Sequence, residues 1–235
     1  MRPALNAAEF DKFAADYLST HQRNVAISGE TPEYFARYKI DIVRRLWNAA
    51  GLAEPRAILD FGTGVGNSLP HLARAFPRSA ITALDVSAKS LAIAESRFAG
   101  LARFVRHGGG ELPLADGGAD LIFSSCVFHH IDAAEHVGVL TQLRRILAPG
   151  GRLVIFEHNP LNPVTRYIVA TCEFDENAVL IPAGVFRDRQ RAAGFAHVRR
   201  TYTGFFPGPL RALRPLERFM SALPLGAQYY TQAHG

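Results

Sequence analysis

The chain has 235 residues, 48% of them hydrophobic and 20% charged, with a formal net charge of +5; that is apolar material for one large domain with a full core, without repeats or low-complexity tracts. Two cysteines, Cys126 and Cys172, make neither a disulfide framework nor a zinc spacing, the N-terminal stretch lacks an apolar targeting segment, and no apolar run approaches the ~18 residues of a membrane span, so a cytoplasmic protein is expected. The basic residues are scattered without an interleaved aromatic platform, which argues against a nucleic-acid partner.

Apolar residues recur at helical spacing at Phe10, Phe13, Ala14, Tyr17 and Leu18, and again at Ile40, Val43, Leu46, Trp47 and Ala50. Residues 1–52 therefore read as an N-terminal helical unit that packs on the following domain or covers it as a lid. Strands and helices then alternate. Strands are expected at 57–61, 80–85, 103–106, 120–125 and 152–157, with helices from Asn67, over 88–98 and over 134–147, the last stopped by Pro149-Gly150-Gly151. A helix near 185–193 ends at Gly194, and strands follow at 197–205 and near 228–233. The rhythm predicts an α/β, Rossmann-like three-layer sandwich over 53–235 around a mostly parallel sheet. Between the last two strands, Leu210 to Leu223 form an apolar stripe interleaved with arginines. It is either a connection folded onto the sheet, the favoured reading, or a basic amphipathic helix at a membrane.

The sharpest local signal is Ile58-Leu59-Asp60-Phe61-Gly62-Thr63-Gly64-Val65-Gly66-Asn67, followed by an apolar run ending in Asp85. A buried strand that breaks into alternating glycines is a tight turn before a helix, and an acid ending the next strand reaches a ribose. Dinucleotide folds place glycines at positions one, three and six, whereas Asn67 stands sixth here. Asp60, moreover, would repel a phosphate at the helix N-terminus. A nucleoside with a cationic end meets neither objection, and S-adenosylmethionine is one.

Four segments, LDFGTGVGNSL at 59–69, ALDVSAKSLAIA at 83–94, ELPLADGGADLIFSSCVFHHI at 111–131 and LRRILAPGGRLVIFEHNP at 143–160, together resemble the class I S-adenosylmethionine-dependent methyltransferases of bacterial small-molecule type. The resemblance implies a seven-stranded sheet with an antiparallel last strand, and S-adenosyl-L-methionine as cofactor with S-adenosylhomocysteine as product. It implies a small-molecule acceptor, and leaves oligomeric state open.

Ligands in such sheets sit beyond the carboxyl ends of the strands. Gly62, Thr63, Gly64 and Gly66 would let backbone amides approach the methionine part, Asp60 would hold its ammonium, and Asp85, with Val86 beside it, would take the ribose hydroxyls. After the third strand the resemblance implies an acid for the adenine amino group, but Gly108 stands there. Backbone groups of Gly109 and Gly110, or Glu111 reaching back beside Leu112, are the alternatives. Ser125 and Cys126 would lie along the cofactor, and His129 beyond them would face the acceptor. His129 and His130 are adjacent in sequence, and neighbours rarely converge on one ion, so no metal site is assigned. Glu157, His158 and Asn159 end the fifth strand and are expected to shape the acceptor pocket, with capping by Asn159 and Asn162 as the alternative. The insertion from about 159 to 182 would complete that pocket. His158, then His21, are the candidate bases, with oxygen slightly preferred over nitrogen as acceptor atom; Tyr17, Tyr34 and Tyr38 are candidate substrate contacts. A cofactor-binding regulatory subunit and an enzyme of membrane lipids are the other readings.

Overall fold

The computed structural model describes residues 29–234, so the first expected helix, with Tyr17 and His21, lies outside the described residues. The first described helix, α1 (Pro32–Ala49), starts eight residues before the apolar repeat that predicted it. Thr31 caps it by accepting from the Tyr34 amide, and Pro32 supplies the fixed φ of a first helical position. Its early turns point Ala36 and Lys39 inward, so they carry little apolar signal. Its later turns pack Ile40, Val43 and Trp47 against Leu72, Phe76, Phe123 and Phe156. The helix is thus built into the core, not merely laid over it.

The alternation follows as expected, with β1 (Ala57–Phe61), α2 (Leu69–Ala75), β2 (Ala80–Asp85), α3 (Ala88–Arg97), β3 (Arg103–Arg106) and β4 (Ala119–Ser125). After α4 (His136–Ile146) comes β5 (Leu147–His158), five residues longer at its start than the periodicity predicts. The pairing of β4 with β5 shifts register between Ala119 and Leu121, opposite Leu147 and Arg152, and the Pro149-Gly150-Gly151 stretch is absorbed there as an irregularity. The insertion contains α5 (Pro163–Ala170), because Asn162 accepts from the Thr165 amide and Pro163 is tolerated at the first helical position. Helix α6 (Ala183–Ala192), β6 (His197–Thr203), a 3-10 stretch Gly208–Leu216, the short α7 (Glu217–Met220) and β7 (Gln228–His234) complete the chain.

The sheet has the order β3-β2-β1-β4-β5-β7-β6. β1 to β5 run parallel, and β7 inserts antiparallel between β5 and β6. One apolar core lies between each face of the sheet and its helices, with Leu59, Ile122, Phe128, Leu143 and Phe186 on one side and Ile58, Leu69, Phe123 and Phe156 on the other. The order reverses between β1 and β4, and the crevice at such a switch point is where ligands bind. The 210–223 segment is the β6–β7 connection, but Leu210, Leu213, Leu216, Phe219 and Leu223 are exposed instead of folded onto the sheet.

Candidate functional site

A cavity of about 610 Å³ opens at that switch point, walled by the carboxyl ends of β1, β2, β4 and β5 and by α1. At its base the glycine turn has φ of +73° at Gly62, +53° at Gly64 and +81° at Gly66. A Cβ on Gly64 would meet no heavy atom within 4 Å, so the missing side chain leaves ligand space. Gly62 and Gly66 serve packing: a Cβ would overlap the Val127 side chain at the first and press on Phe98 and Leu69 at the second, and Gly66 does not line the cavity.

Both predicted acids reach the cavity. Asp85 Oδ2 accepts from the Gly64 amide at 2.8 Å and Oδ1 from the Ser87 amide at 2.9 Å, so this carboxylate also ties the glycine turn to β2. Asp60 is 2% exposed and accepts from the Thr63 hydroxyl at 2.7 Å. Burial pushes its carboxyl up to about 7, the Thr63 hydrogen bond pulling down and the Asp85 charge pushing further up. Such a carboxyl is completed by a cation. Thr63 and Val86 also line the wall.

After β3 the expected contacts fall elsewhere. Gly109, Gly110, Glu111 and Leu112 are outside the cavity lining, since Glu111 points to solvent and Leu112 is buried in the core. The wall here is His107, whose amide donates to the Asp85 carbonyl and whose ring lies 6.0 Å from that of Phe61. Its Nδ1 is buried without a protein partner, and burial holds the ring's pKa below the usual histidine value. The sequence offered this wall residue only as one histidine before three glycines.

Beyond β4 a buried lysine joins the expected pair Ser125 and Cys126. Lys39 Nζ, on α1, donates to Ser125 Oγ at 2.6 Å and lies 3.4 Å from Cys126 Sγ. Cys126 itself has φ of +58°, a strained conformation for a residue with a Cβ. Burial opposes its thiolate, but His158 and Lys39 outweigh that and bring the thiol down to about 6. His158 faces the cavity as predicted, its ring 5.2 Å from that of His129.

Glu157 does not reach the cavity. It is 1% exposed, accepts from the Val127 and Phe128 amides, and holds His129 Nδ1 at 2.6 Å. The two adjacent histidines do converge, contrary to expectation: Asp175, from the insertion, lies 3.5 Å from His129 Nε2 and 3.4 Å from His130 Nε2. Residues Phe128–His130 form a 3-10 turn, in which successive side chains diverge by only about 120°, whereas strand neighbours would point to opposite faces. Burial opposes charge on His129, yet Glu157 and Asp175 raise its pKa well above the ordinary value.

Three expected pocket residues have structural roles instead. Asn159 is 1% exposed, donates to the Pro224 and Gly226 carbonyls and accepts from the Leu161 amide, so it staples the β5 turn to the turn leading into β7. Tyr38 bonds Thr203 and Glu217, and Tyr34 stacks on Tyr38 beneath the Arg214 guanidinium. Both tyrosines dock α1 onto the 203–217 connection because their hydroxyl and ring faces are satisfied there. Pro32, Phe35, Ala36 and Lys39 are the α1 residues that line the cavity.

The fold is like that of solved S-adenosylmethionine-dependent methyltransferases. Residues 58–151 match the methyltransferase domain family. Across 129 residues the chain is 30% identical to malonyl-[acyl-carrier protein] O-methyltransferase of Marinomonas sp., covering 54% of this chain and 47% of that one. It is 28% identical over 139 residues to trans-aconitate 2-methyltransferase of Rhodopseudomonas palustris, covering 58% and 50%. With demethylmenaquinone methyltransferase of Thermus thermophilus it shares 34% identity over 120 residues, covering 50% and 54%. The matched segment thus spans about half the length of these relatives. Among solved structures, an S-adenosylmethionine-dependent methyltransferase of Thermotoga maritima superposes with a TM-score of 0.65 at 19% identity, covering 97% of this chain and 98% of that one, a likeness of fold.

Proposed function

We propose that the protein transfers the methyl group of S-adenosylmethionine to a small-molecule acceptor, with oxygen preferred over nitrogen as the acceptor atom. One observation carries the reading: a single cavity runs from Asp85, past Gly64 and Cys126, to His158. Bound there, the cofactor supplies an electrophilic methyl group on a sulfonium, needing no further activation. Asp85 takes the ribose, the open Cβ space at Gly64 admits the methionine part, Asp60 takes the ammonium, and His107 walls the adenine side. These residues align the methyl with the acceptor and exclude water. His158 accepts the proton released by an acceptor hydroxyl as the new oxygen–carbon bond forms and the sulfur–carbon bond breaks. His21, the second candidate base, lies outside the described residues.

The relatives' names include acids, an acyl-carrier thioester and a quinol precursor, which favours an oxygen or ring-carbon acceptor over any particular compound. The exposed row from Leu210 to Leu225 beside the cavity's α5 wall supports a second reading, an acceptor with a lipid tail. No described helix is long and apolar enough to cross a membrane. The test is thermal unfolding with S-adenosylhomocysteine and with NAD, followed by transfer of labelled methyl to a panel of carboxylates, quinols and amines. A ligand at 100 times its dissociation constant stabilises by about 2.7 kcal/mol. Stabilisation by NAD and not by S-adenosylhomocysteine would remove the proposal.

A further inference from the structure

We propose that His129, His130 and Asp175 form a binding site for a divalent cation of the zinc type at the acceptor end of the cleft, with one coordination position left open to the cavity. The three ligand atoms lie within 4.8 Å of one another. Distances decide between an ion and a plain hydrogen-bond cluster. His129 Nε2 and His130 Nε2 stand 3.5 and 3.4 Å from the same Asp175 oxygen. Good N–H···O bonds are about 2.7–3.2 Å, so both contacts are long for hydrogen bonds. Ligands bound at about 2.0–2.1 Å in a tetrahedron are separated by roughly 3.3–3.4 Å, close to the two histidine–aspartate separations here. Octahedral ligands at the same bond length would stand closer, at about 3.0 Å, which disfavours a six-coordinate ion.

The surroundings are those of a supported metal ligand. Glu157 Oε2 sits 2.6 Å from His129 Nδ1, so that nitrogen is engaged by the carboxylate and Nε2, on the Asp175 side, is the ring atom an ion would take. Glu157 is itself held by two backbone amides. The segment bearing Asp175 is fixed to the β4 loop, since the Val179 amide donates to the His129 carbonyl at 2.8 Å and the Ala178 amide to the Asp175 carbonyl at 2.9 Å. Charge points the same way. Two carboxylates, Glu157 and Asp175, face this cluster, and a dication balances both. Two imidazoles and one carboxylate suit zinc or cobalt better than magnesium. All three ligands line the cavity, so a three-residue set leaves the fourth position for water or for an anionic oxygen of a bound molecule.

The test needs no methyl transfer and so stands or falls apart from the proposed activity. The chelator-treated chain is titrated with Co2+ and with Zn2+, with S-adenosylhomocysteine binding and the melting curve as folding controls. One ion per chain, the intense visible absorption of four-coordinate cobalt, and its loss on adding zinc are expected. Asp175→Asn and His130→Ala should weaken binding more than tenfold, and Glu157→Gln by roughly 10–100-fold. X-ray absorption of the wild-type zinc form should show two imidazoles, oxygen and no sulfur, a readout that holds even where a variant fails to fold. Absence of stoichiometric binding by the wild type, a sulfur ligand, or unchanged affinity in folded Asp175→Asn would overturn the site and leave a hydrogen-bonded cluster.

Discussion

Lys39 of α1 donates to Ser125 Oγ at the end of β4 across 2.6 Å, fixing an ammonium 3.4 Å from Cys126 Sγ within a wall that is mostly apolar. Helix and sheet thereby share one charged contact at the middle of the cleft. Lys39→Met keeps the length of the side chain and removes the charge. The Cys126 thiol should then rise from about 6, leaving less thiolate, and alkylation by iodoacetamide at pH 6.5 should slow about tenfold, with mass mapping to assign the site. Unchanged alkylation would mean that His158 alone sets the thiol.

Asp60 predicts a pH dependence of cofactor binding. Its carboxyl moves from the ordinary 3.8 to about 7 on burial, so the folded chain holds this proton more tightly than the unfolded one. The stability it contributes is complete below about pH 4 and is lost as pH rises through 7. A bound ammonium favours the ionised form and reverses the shift. Binding of S-adenosylhomocysteine at pH 6.5 should therefore release a proton, seen as a dependence of calorimetric enthalpy on buffer ionisation, and Asp60→Asn should abolish the release.

Asp85→Ala should weaken the cofactor by roughly 2 kcal/mol, through lost charge-assisted bonds to the ribose. The same change frees the Gly64 and Ser87 amides, so the glycine turn should also show faster amide exchange. Calorimetric titration and hydrogen exchange read the two effects separately, and unchanged affinity removes the ribose role.

Gly64→Val should abolish cofactor binding while the fold survives. Nothing in the protein crowds a Cβ there, but a branched side chain resists the φ of +53° and occupies the ligand's space. Gly66→Val should instead lower the melting temperature, because its Cβ runs into Phe98 and Leu69. Equal effects on binding and melting at both positions would contradict this division of labour.

His158→Ala should lower turnover by about 10²–10⁴ with little change in cofactor affinity, if this imidazole takes the acceptor's proton. A fully active variant would turn attention to His21 or to an amine acceptor.

The strands were legible because parallel strands between helices are bounded by glycine and acid signals: β1, β2 and β3 have the expected limits to the residue. Asp60, Asp85, Cys126 and His158 were legible for a related reason, since strand ends in this topology must face the cleft. Lys39 and Asp175 were not. Lys39 sits on an otherwise apolar helix face, where a lysine reads as a solvated neighbour, and Asp175 comes to the histidines only through a 3-10 turn more than forty residues away in sequence. Asn159, Tyr34 and Tyr38 were taken for pocket residues because polarity near a strand end or a cover resembles a binding wall. Their hydrogen bonds and ring contacts show that it can equally be mortar between segments.

The place of β7 governs how the protein can be made. The strand enters antiparallel between β5 and β6, so those two never touch edge to edge, and β6 has no partner until Gln228–His234 arrives. A chain leaving the ribosome can assemble β1 to β5 around the glycine turn while β7 is still in the exit tunnel. In that interval β5 presents an open, strongly apolar edge, including Val154, Ile155 and Phe156, to anything nearby. Newly made chains should therefore be at greatest risk of sticking to one another until Gln228–His234 has been made and paired, and a stop codon placed at position 228 should yield inclusion bodies, not a smaller working domain.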